Sequence, residues 1–450
     1  MRVSATNVAI AALAGVTFVY TVLNHYQAPY FDHWDIAPLL EADDEQSLTL
    51  ARVFDIHGGH WHTSAYALLV PLARLTGWSH LAESLASFAF MAATATLALR
   101  LAARFASEAI LENRKAMLAL GTAFLVFSLD QASNLLWGFQ VAVFINLFGA
   151  VLMISALAGG TLSFAAFATA LTGMCLSVFA YGTGFALMPI GVALIALNSA
   201  PRMRRLTFGL AWVALSAALC LAFVQALERA PMGGGFDASD LTRPDFLPYL
   251  GLFTLNFIGA GVARFTSDLV IAVALIGMVA ASAAVFVLRR RGVTWTTLAA
   301  PLALCAFGIG AALLCGLGRY DFGAEQGASS RYISLSTPFW LGALWLLLAA
   351  LRQVQDRSLR AGVIALLAVL AVLKLGNSIQ SAAKHVTLSR QIAAIAETMR
   401  AEPDHAAIAA RQISFERQDI ARHVAFLRDK DWSMFATRAR RSPPPRQPPE

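Results

Sequence analysis

Apolar runs about as long as a membrane is thick recur along the whole chain, and they restrict the fold more than any other feature. A helix that crosses the ~30 Å hydrocarbon layer needs about 20 mostly apolar residues. Runs that approach this length lie at 7–23, 81–103, 116–130, 140–158, 161–179, 183–198, 206–227, 268–288, 295–317, 335–351 and 361–377. Backbone polar groups in lipid must be paired within their own segment, which makes each run a helix. The sequence therefore predicts an all-α polytopic membrane protein with about eleven transmembrane helices.

Charge supports this class and orients the helices. Only 14% of the residues are charged, whereas a soluble domain has about 25%. Loops on the side of Met1 are rich in basic residues, and the opposite loops before residue 378 carry most of the acids. By the positive-inside rule, the N-terminus is cytoplasmic and, after an odd number of spans, the C-terminus lies outside. The net charge of +7 then reflects topology, and no nucleic-acid partner is predicted.

The first outer loop, residues 24–80, is too long to be a simple turn. Within it, residues 38–55 have the pattern of a short surface helix. Residues 65–76 are apolar but short, and we expect them to lie flat in the membrane interface between Trp61 and Trp78. Surface helices on the outer face are therefore part of the predicted fold.

The rest of the chain divides by composition. Residues 1–377 form the predicted transmembrane domain, in which 246–263 is interfacial or re-entrant, with a twelfth span as the alternative. Residues 378–435 have apolar positions at helical spacing among many charges, which predicts a small helical appendage on the outer side. The Pro-rich stretch 436–450 is predicted to be disordered.

Paired acids follow the first span directly, in Tyr30-Phe-Asp-His-Trp-Asp35. A carboxylate at the membrane surface can take a proton from an acceptor hydroxyl, or it can help to hold a divalent cation. The spacing of Asp32 and Asp35 places both on one face of a helical segment. The structural alternative is that one of them caps the helix that begins near Pro38.

A histidine cluster, His57-Gly-Gly-His60-Trp-His62, follows in the same loop. Imidazoles at this density bind zinc, contact a substrate or phosphate, or belong to a solvated interfacial loop. The cluster lacks a cysteine or a second histidine motif that would complete a metal site, so we predict substrate contact for His57, His60 and His62 and no metal ligand.

Amide and aromatic side chains stand together in Asn134-Leu-Leu-Trp137-Gly-Phe-Gln140. A tryptophan face can stack on a sugar ring while the amides of Asn134 and Gln140 pair with its hydroxyls. The alternative is an aromatic belt at the membrane interface.

Arginines are unexpected in the acidic outer loops, yet Arg319 and the Arg331-Tyr332 pair lie there. The guanidinium fork matches phosphate oxygens, so Arg319, Arg331 and Tyr332 are predicted to bind a lipid phosphate. The alternative is a salt bridge to Asp321 or Glu325.

Taken together, these motifs resemble the GT-C superfamily of polytopic glycosyltransferases, and in particular a bacterial branch of it. That branch shares an acid-Trp motif after the first helix, a His-rich element before the second, an Asn…Trp-x-Phe-Gln segment and a late Ser-Arg-Tyr. These correspond here to 32–35, 57–62, 134–140 and 330–332. The chain departs from the family pattern of two acidic motifs, because the second position offers only Asp130.

The resemblance implies a glycosyltransferase of the bacterial inner (plasma) membrane, working on its outer face. Its partners would be a polyprenyl-phosphate sugar donor, a glycan or lipid acceptor of the cell envelope, and the membrane lipids. Asp32 by preference, and Asp35 next, would be the catalytic base. The resemblance requires no cofactor, and it leaves open whether a divalent cation is bound. The alternatives are a polysaccharide polymerase or ligase, and a lipid-linked sugar transporter or flippase.

Overall fold

The computed structural model describes residues 4–109, 114–229, 239, 242–416 and 418–436. Within these ranges the chain is almost entirely helical, with one small β-hairpin. The α-helices are α1 Ala5–Asn24, α2 Ala37–Asp44, α3 Leu50–Val53, α4 Thr63–Thr76, α5 His80–Glu108, α6 Lys115–Val126, α7 Ala132–Leu136, α8 Val141–Leu157, α9 Phe164–Val178, α10 Leu187–Leu197, α11 Arg202–Arg229, α12 Phe246–Ala260, α13 Ser267–Arg290, α14 Trp295–Leu317, α15 Ile333–Gln353, α16 Arg357–Ala401, α17 Ala406–Ala410 and α18 Ile420–Asp429. The strands are β1 Ile56–His57 and β2 His60–Trp61.

Nine helical stretches in the described ranges are long and apolar enough to cross a membrane. They are Ala5–Asn24, His80–Glu108, Lys115–Leu136, Gly138–Leu157, Arg202–Arg229, Ser267–Arg290, Trp295–Leu317, Ser330–Gln353 and Arg357–Ala401. The predicted spans 161–179 and 183–198 coincide with shorter apolar helices, and so does the rival twelfth span, at α12. The prediction of an all-α, multi-pass membrane protein is confirmed.

Burial separates central helices from peripheral ones. In the apolar window of Ser330–Gln353, 94% of the residues are buried, against 6% for α11. A helix that is apolar all round either lies inside a bundle or faces lipid. Small residues allow close approach in the centre: a Cβ on Gly149 of α8 would lie 2.4 Å from the Gly173 carbonyl oxygen of α9.

The first outer loop begins after α1 ends at Asn24 and closes where α5 starts at His80, as predicted. The surface helix predicted over 38–55 is broken into α2 and α3, because the backbone turns at Gln46, whose φ is +56°. The helix predicted at 65–76 is α4, which ends at a left-handed Gly77.

The C-terminal part returns to this loop. Helix α16 is continuous for 45 residues and crosses the predicted boundary at 377/378 without a break. The chain then turns back, and residues 402–436, called here the C-terminal segment, pack on the first outer loop. His423 Nδ1 lies 2.7 Å from Glu41 Oε1, and Lys430 Nζ lies 2.7 Å from Asp44 Oδ1. Of the tail predicted to be disordered, residues 437–450 lie outside the described residues.

A buried ion pair fastens α16 to the bundle. Lys374 Nζ lies 2.6 Å from Asp130 Oδ2 and donates a hydrogen bond of 2.7 Å to the Gly261 carbonyl. Asn377 Nδ2 donates to the same Asp130 oxygen at 3.3 Å. Both charged side chains are at most 2% exposed. Since a buried charge is costly unless it is paired, this contact fixes the position of α16.

Candidate active site

The β-hairpin gathers the three predicted histidines. Its two-residue turn is Gly58-Gly59, with φ values of +55° and +83°, the sign pattern of a type I′ turn that glycine adopts without strain. His57 and His60 are cross-strand partners, so their side chains share one face. His62 lies 5.4 Å from His57 and 5.9 Å from His60 between ring centroids. The spacing of the motif therefore places all three imidazoles in one cluster.

The two acids meet this cluster at His57. They lie on a 3₁₀ helix, Phe31–Ile36, in which residues three apart are stacked on one side. His57 Nε2 is 3.6 Å from Asp35 Oδ2 and 3.9 Å from Asp32 Oδ1. The Asp32 and Asp35 side chains are 22% and 21% exposed, so both carboxylates are within reach of a ligand.

Helix capping does not explain these acids. Helix α2 has Ile36 as its N-cap and no side-chain capping bond, so the capping alternative is wrong. Asp35 is instead held from a distant part of the chain: Gln418 Nε2 donates to Asp35 Oδ1 at 2.8 Å.

The same acids and His57 could share one cation. A carboxylate oxygen from each aspartate and a ring nitrogen of His57 all lie within 4.8 Å of one another. Oxygen and imidazole donors suit several divalent metals. These donors fit a divalent cation, which is the alternative that the sequence left open.

The other two imidazoles are neutral; His62 is buried and His60 is partly buried. Burial, and then the positive charge of Arg319, lower the pKa of His60 to about 3. Burial, then His57 and His60, also lower the pKa of His62. Neutral imidazoles offer one donor and one acceptor each. His60 and His62 can therefore orient a ligand by hydrogen bonds, and they add no charge at neutral pH.

Two arginines, Arg319 and Arg331, act electrostatically on His60. Within the described part of the chain, no carboxylate lies within 4.0 Å of Arg319 or Arg331, so the salt bridges to Asp321 and Glu325 are not formed. Tyr332 is their shared neighbour: Arg319 Nε donates to its hydroxyl at 3.4 Å, and the Arg331 guanidinium lies 5.4 Å from its ring centroid. The charges of both arginines also lower the pKa of His60. Two cations beside neutral imidazoles suit an anionic ligand.

The 134–140 segment supports the site more than it faces a ligand. Asn134 Nδ2 donates to the Arg331 carbonyl and to Ser334 Oγ, each at 2.9 Å, so its amide donors are used to position the Arg331 segment. Trp137 is only 8% exposed. Its ring packs 5.5 Å from Tyr30, which leaves little of its face for a sugar. Gln140 is also buried.

Three contributors were not predicted from the sequence. Phe139 lies 5.3 Å from His57 and 5.0 Å from His62, and Tyr181 lies 4.6 Å from His60. Gln418 is the third. The aromatic residues stand in Trp-Gly-Phe and Tyr-Gly-Thr-Gly runs that mark tight turns, a signal that could have been used. No local pattern singles out Gln418.

Two further acidic residues, Asp130 and Glu83, have structural roles. Asp130, the only candidate for a second acidic motif, is buried against Lys374. Glu83 is buried between His33 and His80, each with a ring nitrogen 3.1 Å from Glu83 Oε2, and it accepts a bond of 2.9 Å from Trp78 Nε1. Both carboxylates have protein partners and are closed to solvent, so neither replaces Asp32 and Asp35.

No protein-family model matches this chain, and neither a curated protein nor a solved structure shows detectable similarity to it. The functional argument therefore depends on the residues themselves.

Proposed function

We propose that this multi-pass membrane protein is a glycosyltransferase of the GT-C type. It would move a sugar from a polyprenyl-phosphate donor to a glycan or lipid acceptor on the outer face of the bacterial plasma membrane. One observation carries the proposal: two accessible carboxylates at the end of the first span lie beside a cluster of imidazoles, and two arginines that have no acidic partner among the described residues act electrostatically on the same cluster.

The two ends of this arrangement fit the two halves of a sugar transfer. Arg319 and Arg331 would hold the donor phosphate, the leaving group, by charge-assisted hydrogen bonds. Asp32 would accept the proton of the attacking hydroxyl, with Asp35 beside it. The two acids both lie within 4.0 Å of His57 Nε2, and among the described residues of the site no further carboxylate is placed as a nucleophile. The reaction proposed here is therefore a single displacement that inverts the anomeric centre.

A carrier is the second candidate, because an ionisable pair inside membrane helices often marks a transport path. Lys374 and Asp130 form such a pair. However, Asn377 and the Gly261 carbonyl hold it on further sides, which suits a static fastening. The polymerase or ligase alternative would use the same arginines and acids with a polymeric acceptor.

A comparison of glycans tests the proposal. Lipid-linked and surface glycans would be analysed by mass spectrometry in cells with and without the protein. We expect cells without it to lack one sugar mass in a surface glycan and to accumulate the lipid-linked donor on the outer leaflet. Accumulation on the inner leaflet alone would indicate a flippase instead, and unchanged glycans would reject both candidates.

The donor side makes a separate prediction. Arg331→Gln should raise the Kd for farnesyl phosphate, a short polyprenyl phosphate, about 10- to 100-fold, since a hydrogen bond to a charged group contributes roughly 1.5–3 kcal/mol. Binding to purified protein is measured by a thermal-shift titration. Arg411→Gln, an exposed arginine of the C-terminal segment, is the matched control. Equal affinity of both variants would contradict the phosphate role.

A further inference from the structure

A cavity of about 720 Å³ lies between the first outer loop and the C-terminal segment. Pro38, Glu41, Ser47 and Arg52 belong to its loop side, and the segment from Gln418 to His423 contributes the other. Asp35 also lines it. The cavity therefore reaches Asp35, one of the two carboxylates of the candidate active site. Its other lining residues lie outside the motifs that the sequence predicted.

Strong contacts hold the two walls together. The Glu41 side chain, 6% exposed, lies 2.7 Å from His423 Nδ1 and 2.8 Å from Arg422 Nε. Lys430 and Asp44 add a second, more exposed ion pair. A carboxylate buried between an imidazole and a guanidinium is stabilised only in this docked arrangement. The fixed walls make the cavity a built feature of the fold.

The charges of the lining select the kind of ligand. Among the described residues of the lining, four carboxylates, those of Asp35, Glu41, Glu45 and Asp419, stand against the guanidinium groups of Arg52 and Arg422 and the imidazole of His423. An excess of negative charge repels phosphate. The many donors and acceptors suit a neutral molecule rich in hydroxyl groups. The cavity thus differs in charge from the Arg319 and Arg331 side.

Gln418 links the cavity to Asp35, the carboxylate beside the proposed base Asp32. Its Nε2 donates to Asp35 Oδ1 at 2.8 Å and to the Phe31 carbonyl at 3.1 Å, and its Oε1 accepts from the Phe415 N–H at 2.9 Å. With the amide bound at both ends, the side chain is fixed in one orientation. Gln418 thus fixes Asp35 Oδ1, while Asp35 Oδ2 faces His57.

We infer that this cavity is the acceptor site, that it takes a neutral, hydroxyl-rich glycan, and that Gln418 positions Asp35 beside the base Asp32, where it can orient the incoming hydroxyl. The inference rests on the proposed function. Donor and acceptor then approach from opposite sides: the phosphate lies with the arginines, and the hydroxyl comes from the cavity between the first outer loop and the C-terminal segment.

Blocking the cavity tests the site. Ser47 is exposed at the lining, so Ser47→Trp fills the space without disturbing the core. Leu50→Trp is the matched control, since Leu50 is 79% exposed and outside the lining. At equal membrane abundance, we expect Ser47→Trp to lower transfer to the surface glycan at least tenfold, with farnesyl phosphate binding as in wild type. Leu50→Trp should match wild type in both.

The outcomes separate this inference from the proposed function. If Ser47→Trp transfers normally while Asp32→Asn is inactive, the transferase stands and the acceptor site is wrong. If Ser47→Trp also loses farnesyl phosphate binding, the cavity belongs to the donor and the inference is overturned. If Asp32→Asn itself transfers normally, the proposed function falls and the acceptor site falls with it.

The role of Gln418 has its own readout. Gln418→Glu keeps the shape but replaces the amide donor to Asp35 with a second carboxylate, so the two groups repel each other. We expect transfer to fall at least tenfold, while membrane abundance and farnesyl phosphate binding stay as in wild type. Gln412→Glu, the same change at an exposed site, should match wild type in all three measurements. Lower abundance or weaker farnesyl phosphate binding in Gln418→Glu would indicate a structural role only.

Discussion

Asp32→Asn is expected to abolish sugar transfer while the protein folds and binds farnesyl phosphate as the wild type does. Asparagine has the shape of aspartate but cannot accept the proton of the attacking hydroxyl. A positioned general base contributes about 10²- to 10⁴-fold to a rate. Asp32 is partly exposed and near the surface of the site, so its replacement leaves the core unchanged. The measurement is the amount of transferred sugar in cells that lack the native copy.

The control for this variant is Asp55→Asn, an exposed aspartate of the same outer loop. It should transfer sugar as wild type does. Asp35→Asn should lose less than Asp32→Asn, because Asp32 is the preferred base. Normal transfer by Asp32→Asn at matched abundance would favour a carrier, which does not depend on a base.

Lys374→Met is expected to have the largest effect on stability. The substitution leaves the Asp130 carboxylate buried without its cation, and Asp130 Oδ1 already lacks a hydrogen-bond partner within the described residues. Breaking a buried ion pair from one side costs about 3–5 kcal/mol. The variant should therefore unfold at a clearly lower temperature in detergent, and its membrane abundance should fall.

The double variant distinguishes the ion pair from a simple packing role. Asp130→Asn combined with Lys374→Met removes both charges, so it should recover a large part of the lost stability. Lys384→Met, on the exposed part of the same helix, should change stability by less than about 0.5 kcal/mol. Additive losses in the double variant would show that the two charges do not stabilise each other.

Local features of the site could be predicted from the sequence, because they depend on neighbours along the chain. The Gly58-Gly59 turn folds His57 back beside His60, and the spacing of three brings Asp32 and Asp35 to one side. The bounds of the first outer loop follow from where apolar runs stop and start. Each of these inferences needs only a window of a few residues.

Contacts between distant segments could not be predicted in this way. Asn134 was expected to face a sugar, yet it binds the Arg331 segment 197 residues later, and Gln418 reaches Asp35 across 383 residues. Asp130 was considered as an isolated acid, and its partner Lys374 lies on α16. Which polar side chains meet is decided by the packing of the helices, and a single sequence does not specify that packing.

The unbroken length of α16 places a strict condition on how this chain can vary. Its 45 residues extend about 68 Å at 1.5 Å per residue, more than twice the hydrocarbon thickness. The Lys374 contact fixes one part of this helix, and the chain that follows it brings Gln418 to Asp35. One residue inserted or deleted within α16 after Lys374 would turn the end of the helix by about 100°. Exposed side chains on α16 can therefore be substituted freely, whereas the number of residues in this helix cannot change.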